Sequence, residues 1–232
     1  IDNWGRHPST PDIGADEFIM QPTIVTNPAT LVTGTTATLN GAVTANFENI
    51  AVSFTFDTNP GFATATTYTA TPNLVTGNTT TSVSYNITGL LPNSTYYFMT
   101  KGTIGPGVYN GVPYQTLITP AILPIVTTNA ATSVTSTSAV LNGTVNANNA
   151  STAVTFEYGT TIAYGSTVTA VPSPVTGMSN TAVSYSLSGL LPNTTYHFRV
   201  VGVNIAGPAN GLDLTFTTPA VLPLVTTDAA TA

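Results

Sequence analysis

Three stretches of this sequence repeat one another at intervals of about one hundred residues. Pro22-Thr-Ile-Val-Thr-Asn-Pro-Ala-Thr30 returns as Pro124-Ile-Val-Thr-Thr-Asn-Ala-Ala-Thr132 and again as Pro223-Leu-Val-Thr-Thr-Asp-Ala-Ala-Thr231. Ala37-Thr-Leu-Asn-Gly-Ala-Val43 matches Ala139-Val-Leu-Asn-Gly-Thr-Val145, and Gly89-Leu-Leu-Pro-Asn-Ser-Thr-Tyr96 matches Gly189-Leu-Leu-Pro-Asn-Thr-Thr-Tyr196, at an offset between 99 and 102. Self-similarity over the length of a domain means that one fold is written twice and a third copy is begun. The boundaries expected are 22–119 and 120–218 for the two whole units, with 1–21 as a tail or linker and 219–232 as a linker and the start of a third repeat.

Within each repeat the apolar period is two. Val52-Ser-Phe-Thr-Phe56, Val154-Thr-Phe-Glu-Tyr158, Val83-Ser-Tyr-Asn-Ile87, Val183-Ser-Tyr-Ser-Leu187 and Tyr196-His-Phe-Arg-Val200 all alternate apolar with polar residues, as strands with one buried face require. Gly, Pro, Asn and Ser separate them, and no interval is long enough or suitably patterned for a crossover helix. The fold class expected is all-β: two tandem, seven-stranded, immunoglobulin-like sandwiches after an extended segment. Composition agrees. Thr makes up about a fifth of the chain, and residues that favour helices are scarce.

Only 5% of the 232 residues are charged, 3 of them Lys or Arg against 9 Asp or Glu, where about a quarter is usual. Arg6, Lys101 and Arg199 cannot neutralise a run of phosphates, so neither nucleic acid nor an anionic membrane is an expected partner. No apolar run is long enough for a membrane helix, so no membrane insertion is expected. With no Cys, thiolate metal sites and cysteine nucleophiles are excluded. A nearly neutral hydroxyl and carboxamide surface does little to hold neighbouring molecules apart, which permits end-to-end or edge contact.

Gly189-Leu190-Leu191-Pro192-Asn193-Thr194-Thr195-Tyr196-His197-Phe198-Arg199-Val200, followed by Val203-Asn204 and Gly207, resembles the corner before strand F, and strand F itself, of fibronectin type III domains. The first repeat keeps Gly89-Leu90-Leu91-Pro92 and Tyr96-Tyr97-Phe98, and the resemblance spans roughly residues 22 to 218. It implies a structural tyrosine corner, with the rings of Tyr96 and Tyr196 buried, each hydroxyl tied back to the chain, and Leu90 and Leu190 filling the core beneath. The tryptophan that the family carries on its second strand is replaced by Leu39 and Leu141. Asp2-Asn3-Trp4-Gly5-Arg6-His7-Pro8 and Asp12-Ile13-Gly14-Ala15-Asp16-Glu17-Phe18 have no counterpart in the repeats. They resemble the closing segment of secreted bacterial right-handed β-helix proteins, with an ordinary linker or capping strand as the alternative.

Groups able to do chemistry are few. Asp12, Asp16 and Glu17 form the one acidic cluster, with no oxygen-rich calcium loop after it. Glu48, Asp57, Glu157 and Asp213 are scattered, and no pair recurs in both repeats as facing carboxylates. His197 alternates with Tyr196 and Phe198, so it is expected to face solvent beside Arg199 with no orienting acid, which leaves Ser/His/Asp catalysis without support. Lys101 falls on the polar parity of its strand, as an ordinary exposed lysine. The loops from Ile104 to Asn110 and from Asn204 to Asn210 lack an integrin-binding Arg-Gly-Asp. Asn-x-Ser/Thr triplets at Asn78, Asn86, Asn93, Asn142, Asn149 and Asn193 are expected by composition alone. No catalytic, cofactor-binding or metal site, no cofactor and no enzymatic activity are expected.

Thr119-Pro-Ala-Ile-Leu-Pro124 and Thr218-Pro-Ala-Val-Leu-Pro223 join the repeats with two prolines around three apolar residues. Proline restricts its own φ and its predecessor, so these are stiff connectors. The function expected is a semi-rigid stalk or filament-forming element of an extracellular bacterial surface protein, supporting adhesion or coating. Its partners would be further copies of itself. The alternative is a carbohydrate- or protein-binding accessory module of a secreted β-helix enzyme, for which Tyr97, Tyr109 and Tyr114 are the candidate aromatics.

Overall fold

The structure, a computed structural model, describes residues 21–223 and Val225. The segment resembling a β-helix end, with His7, Asp12, Asp16 and Glu17, and the opening of a third repeat from 224 on (Val225 apart) lie outside the described residues.

Every regular element among the described residues is a strand. The first repeat contains β1 (Thr23–Thr30), β2 (Thr36–Thr44), β3 (Ile50–Asp57), β4 (Thr66–Val75), β5 (Thr81–Thr88), β6 (Thr95–Ile104), β7 (Gly107–Asn110) and β8 (Gln115–Ile118). The second contains β9 (Ile125–Thr132), β10 (Ser138–Asn146), β11 (Ala153–Gly159), β12 (Ser166–Thr169), β13 (Asn180–Ser188), β14 (Thr195–Asn204), β15 (Gly207–Asn210) and β16 (Leu214–Thr217). Strand order is β13-β10-β9 in one sheet of the second repeat and β12-β11-β14-β15 in the other, with β16 also on β14. The first repeat runs β1-β2-β5-β4-β3-β6-β7, with β8 also on β6. This is an all-β, immunoglobulin-like sandwich with the strand order that the fibronectin type III resemblance implies. The seventh strand expected from the pattern is present in two pieces in each repeat.

The repeats differ at one edge. β4 continues past Pro72 so that Leu74 pairs with Ala51 and Val75 with Ile50, and Thr71 pairs with Ser84 of β5, which joins the two layers into one hydrogen-bonded sheet. In the second repeat Pro174 stands where Leu74 does. There β12 ends at Thr169, and isolated bridges join Thr152 to Val175 and Val171 to Ser184. The Val154 N–H donates to Ser173 Oγ at 2.9 Å.

The described residues divide into two compact units, 21–29 with 39–85 and 96–116, and 30–38 with 86–95 and 117–223. In the first unit Leu39, Val43, Ile50, Val52, Phe54, Val75, Val83, Tyr96 and Phe98 are buried. In the second, Leu141, Val145, Val154, Phe156, Val183, Leu187, Leu190, Tyr196, Phe198 and Val200 form one core with Phe216. Leu39 and Leu141, at the family's tryptophan positions, are fully buried.

One hydroxyl in each unit links strands of opposite layers. Thr26 of β1 is buried, and its Oγ1 accepts from the N–H of Thr100 in β6 at 2.9 Å and donates to the Gly111 carbonyl. Thr128 of β9 does the equivalent, with Oγ1 accepting from the Val200 N–H at 3.2 Å. A Cβ at Gly111 would lie 2.8 Å from Thr26 Oγ1 and one at Gly211 would lie 2.3 Å from Thr128 Oγ1, so the close approach requires glycine at both places. The Thr100 hydroxyl is itself buried with no partner, and the second repeat has Val200 there.

An unmade buried hydrogen bond costs more than an apolar replacement of the same shape. Thr26→Val should therefore destabilise by about 1–3 kcal/mol, while Thr100→Val, which only removes an unsatisfied group, should be neutral or stabilising. Chemical denaturation of the two variants measures both.

Candidate functional site

The residues assigned to the tyrosine corner lie at one end of each repeat, where β5 leads into β6 and β13 into β14. Leu90 and Leu190 are buried, and their N–H groups donate to Thr35 O and Thr137 O, each at 3.0 Å. Tyr96 is buried and stacks on Phe56 with ring centroids 5.0 Å apart, while Tyr196 is buried and stacks on Phe216 at 5.5 Å. Tyr196 Oη accepts from the Leu191 N–H at 2.9 Å.

Two threonines that sequence reasoning did not single out complete these corners. Thr119 Oγ1 donates to Leu91 O and accepts from the Ser94 N–H, at 2.6 and 3.0 Å. Thr218 Oγ1 repeats this with Leu191 O and the Thr194 N–H at the same distances. Both are buried among carbonyls. Their signal in the sequence is a Thr-Pro step opening both connectors.

Four ionisable residues gather on the outer face of the second repeat. Arg199 Nε donates to Glu157 Oε2 at 2.8 Å, from facing positions on β14 and β11. The guanidinium lies 4.9 Å from the centre of the Tyr164 ring. Tyr164 Oη donates to Asp213 Oδ1 at 3.0 Å, and Asp213 Oδ2 lies 2.8 Å from His197 Nδ1. Burial, and then the bond to Asp213, raise the Tyr164 hydroxyl above its ordinary value, so it stays protonated as a donor. The expectation that His197 faces solvent without an orienting acid is corrected: it is half-buried and paired with Asp213. The expectation that Glu157 and Asp213 are scattered is corrected too, because strand pairing brings these distant parts of the chain into one network. A cleft of about 380 Å³ beside it is lined by Glu157, Ile162, Tyr164, Ser166 and Arg199. Each charged group has a partner inside the network, which ties Tyr164 of the 160–165 loop to Arg199 and Asp213.

The first repeat carries rings at the equivalent place. Tyr97 and Tyr114 meet edge to face at 5.7 Å, and Phe62 meets Tyr114 at 5.9 Å. Tyr114 is exposed, while Phe62, Tyr97 and Tyr109 are half-buried. Phe62 was not among the sequence candidates, and Tyr109 lies apart on β7. Lys101 is half-buried on β6, opposite Ser53 and Asn110. Among the described residues no three His, Asp or Glu side chains converge as a metal site would need.

Asp57 closes the loop after β3. Its carboxylate, buried, accepts from the N–H groups of Asn59 and Thr64 at 3.1 and 2.9 Å and from the Thr64 hydroxyl at 3.1 Å. Burial alone would raise its pKa, but these donors outweigh burial and hold it below the usual carboxylate value.

No family model matches the chain, and no curated protein matches it. Solved structures do. The sensor domain of the anti-sigma factor RsgI4 from Pseudobacteroides cellulosolvens is 24% identical over 46% of this chain and 99% of its own, with a TM-score of 0.34. A two fibronectin type-III domain segment from chicken tenascin is 15% identical over 85% of this chain and 99% of its own, with a TM-score of 0.40. A computationally redesigned β-sandwich protein is 27% identical over 44% of this chain and 98% of its own, with a TM-score of 0.31. The fold assignment rests on the strand order and register above.

Tyr196→Phe removes the acceptor of the Leu191 N–H and should cost about 1 kcal/mol in chemical denaturation. The Asp57 pKa is depressed by folding, so its contribution to stability is present above about pH 4 and lost as pH falls through the folded value. Asp57→Asn should flatten the acid limb of the stability curve relative to the parent chain, measured by thermal unfolding between about pH 2 and 6.

Proposed function

We propose that this chain is a non-enzymatic structural segment of an extracellular bacterial surface protein, a semi-rigid stalk or filament-forming element that supports adhesion or surface coating. The observation that carries this reading is the pinned connector. Pro120 O accepts from the Asn93 N–H at 3.2 Å, Ile122 O from Asn204 Nδ2 at 2.9 Å and Leu123 O from Asn148 Nδ2 at 2.7 Å. A tether meant to swing would leave these carbonyls to water and would use Gly and Ser, whereas here proline restricts the backbone and carboxamides hold it. The charged groups of the second repeat are internally paired, which fits a passive role. Near-neutral surfaces with accessible strand edges favour assembly between copies.

A second reading has one specific observation behind it. Exposed Tyr114, backed by Tyr97 and Phe62, is the kind of aromatic surface a sugar ring stacks on, and an accessory module for carbohydrate would use it. The edge-to-face packing offers one ring at a time in place of a flat platform. A glycan array on which Tyr114→Ala changes nothing removes this reading.

For the stalk, small-angle scattering of the chain should give an elongated distance distribution that broadens when Asn148 and Asn204 are both changed to Ala. A compact distribution, or one indifferent to the double variant, would sink it. Electron microscopy at high concentration tests assembly separately, and monodisperse monomers there would count against a filament.

A further inference from the structure

The second unit contains two copies of the same corner, and only one of them is covered. The first copy is Leu91–Ser94 with Thr119–Pro120. Asn149, in the turn between β10 and β11, sits over it. Its Nδ2 donates to Pro92 O at 2.9 Å and to Ser94 Oγ at 3.0 Å, while Asn93 Nδ2 donates to Asn149 O at 3.2 Å. One asparagine thus uses its side-chain donor and its backbone acceptor on three adjacent residues, and Pro92 is buried.

The other copy, Leu191–Thr194 with Thr218–Pro219, has the same groups in the same local geometry. Thr194 Oγ1 donates to Pro192 O at 2.8 Å, as Ser94 Oγ does to Pro92 O at 2.9 Å. The Asn193 N–H donates to Pro219 O at 3.3 Å, as that of Asn93 does to Pro120 O at 3.2 Å. Asn93 and Asn193 share a left-handed backbone, with φ of 50° and 49°. What differs is cover: Pro192 is exposed where Pro92 is buried, and Leu191 is 63% exposed against 46% for Leu91. The acceptors are held in place before anything binds them, so a partner would not have to order them.

The chain itself indicates what would sit there. After the second corner come Thr218-Pro-Ala-Val-Leu-Pro223 and a further copy of the repeat's opening residues, in the order that leads from the first corner to Asn149. The occupant must carry asparagine at that turn. In the first repeat the position is Phe47, whose N–H bonds to Gly77 O as that of Asn149 bonds to Gly177 O, both at 2.9 Å, and whose ring is 77% exposed. A unit of the first repeat's kind would bring a phenyl ring to three polar groups.

We propose that the Leu191–Thr194 and Thr218–Pro219 corner is a docking site for a further repeat of the second repeat's kind, taken through the carboxamide and carbonyl of that repeat's asparagine at the Asn149 position. This deepens the stalk reading and rests on it, since it supplies the joint by which the array continues. One contact is not reproduced. Ile122 Cγ2 lies 2.6 Å from where a Cβ on Gly34 would sit, and Ser136 occupies the place of Gly34 in the second repeat. Val221, the counterpart of Ile122, is accordingly 61% exposed, and the asparagine clasp carries the new joint without that packing.

The test lengthens the full chain after Thr231 with a copy of residues 133–218, so that residues 223–231 open a complete third repeat. Backbone amide shifts of Asn193 and Thr194 are compared in the parent chain, the lengthened chain and the lengthened chain carrying Asn149→Phe in the appended copy. Phenylalanine stands at that turn in the first repeat, so the variant is compatible with the fold, and dispersed resonances from the appended unit verify that it is folded. The expected result is that both amides shift on lengthening and return to their parent positions in the Phe variant. Identical shifts in the lengthened chain and its variant overturn the docking site. Scattering on the same samples separates the two readings: an elongated particle with unmoved amides removes the joint and leaves the stalk, whereas a compact particle counts against the stalk itself.

Discussion

Hydroxyl and carboxamide groups carry the polar bonding that this chain, with 3 basic and 9 acidic side chains in 232 residues, assigns to almost nothing else. Buried backbone groups must be paired, and wherever a strand ends or two layers meet the ladder alone cannot pair them. Thr26 and Thr128 answer this between layers, Thr119 and Thr218 at the corners, and Asn148 and Asn204 along the connector. These side chains are short or have few rotamers, so they lose less freedom on being ordered than Lys or Glu would. Each bond is also insensitive to salt, unlike a surface ion pair.

The ion pairs among the described residues sit on the second repeat. Glu157, Arg199, His197 and Asp213 close on one another with Tyr164 between them, and the same outer face of the first repeat is built from Phe62, Tyr97 and Tyr114. The strand order is common to both repeats, and the outward positions use one chemistry or the other to hold the loop after the third strand. The face is therefore free to vary without cost to the core, which is how one fold comes to present different surfaces.

Much of the fold could be read before any coordinates. Alternation in Val52-Ser-Phe-Thr-Phe56 or Tyr196-His-Phe-Arg-Val200 assigns inward and outward sides because the side-chain period of a strand is two, and both segments bury their apolar members. Tyr196 could be placed at its corner from the Gly-Leu-Leu-Pro-Asn run that precedes it. The polar network could not. Parity says only that His197 and Arg199 point outward, and it is silent on Tyr164 and Asp213 in loops that reach them from elsewhere in the chain. Where β12 ends, and that the Val154 N–H turns to Ser173 Oγ there, depends on register.

Local periodicity and composition are enough to set the number of repeats, the strand faces, the residues of each core and the scarcity of reactive groups, since all of these are written in neighbouring residues. Which asparagine lies over which corner, which acid meets His197 and which of two identical corners is left open are settled in the folded chain alone. Such pairings join atoms far apart in the chain at about 3 Å. Neither the register nor the path of the connector that brings them together is recorded in the order of residues.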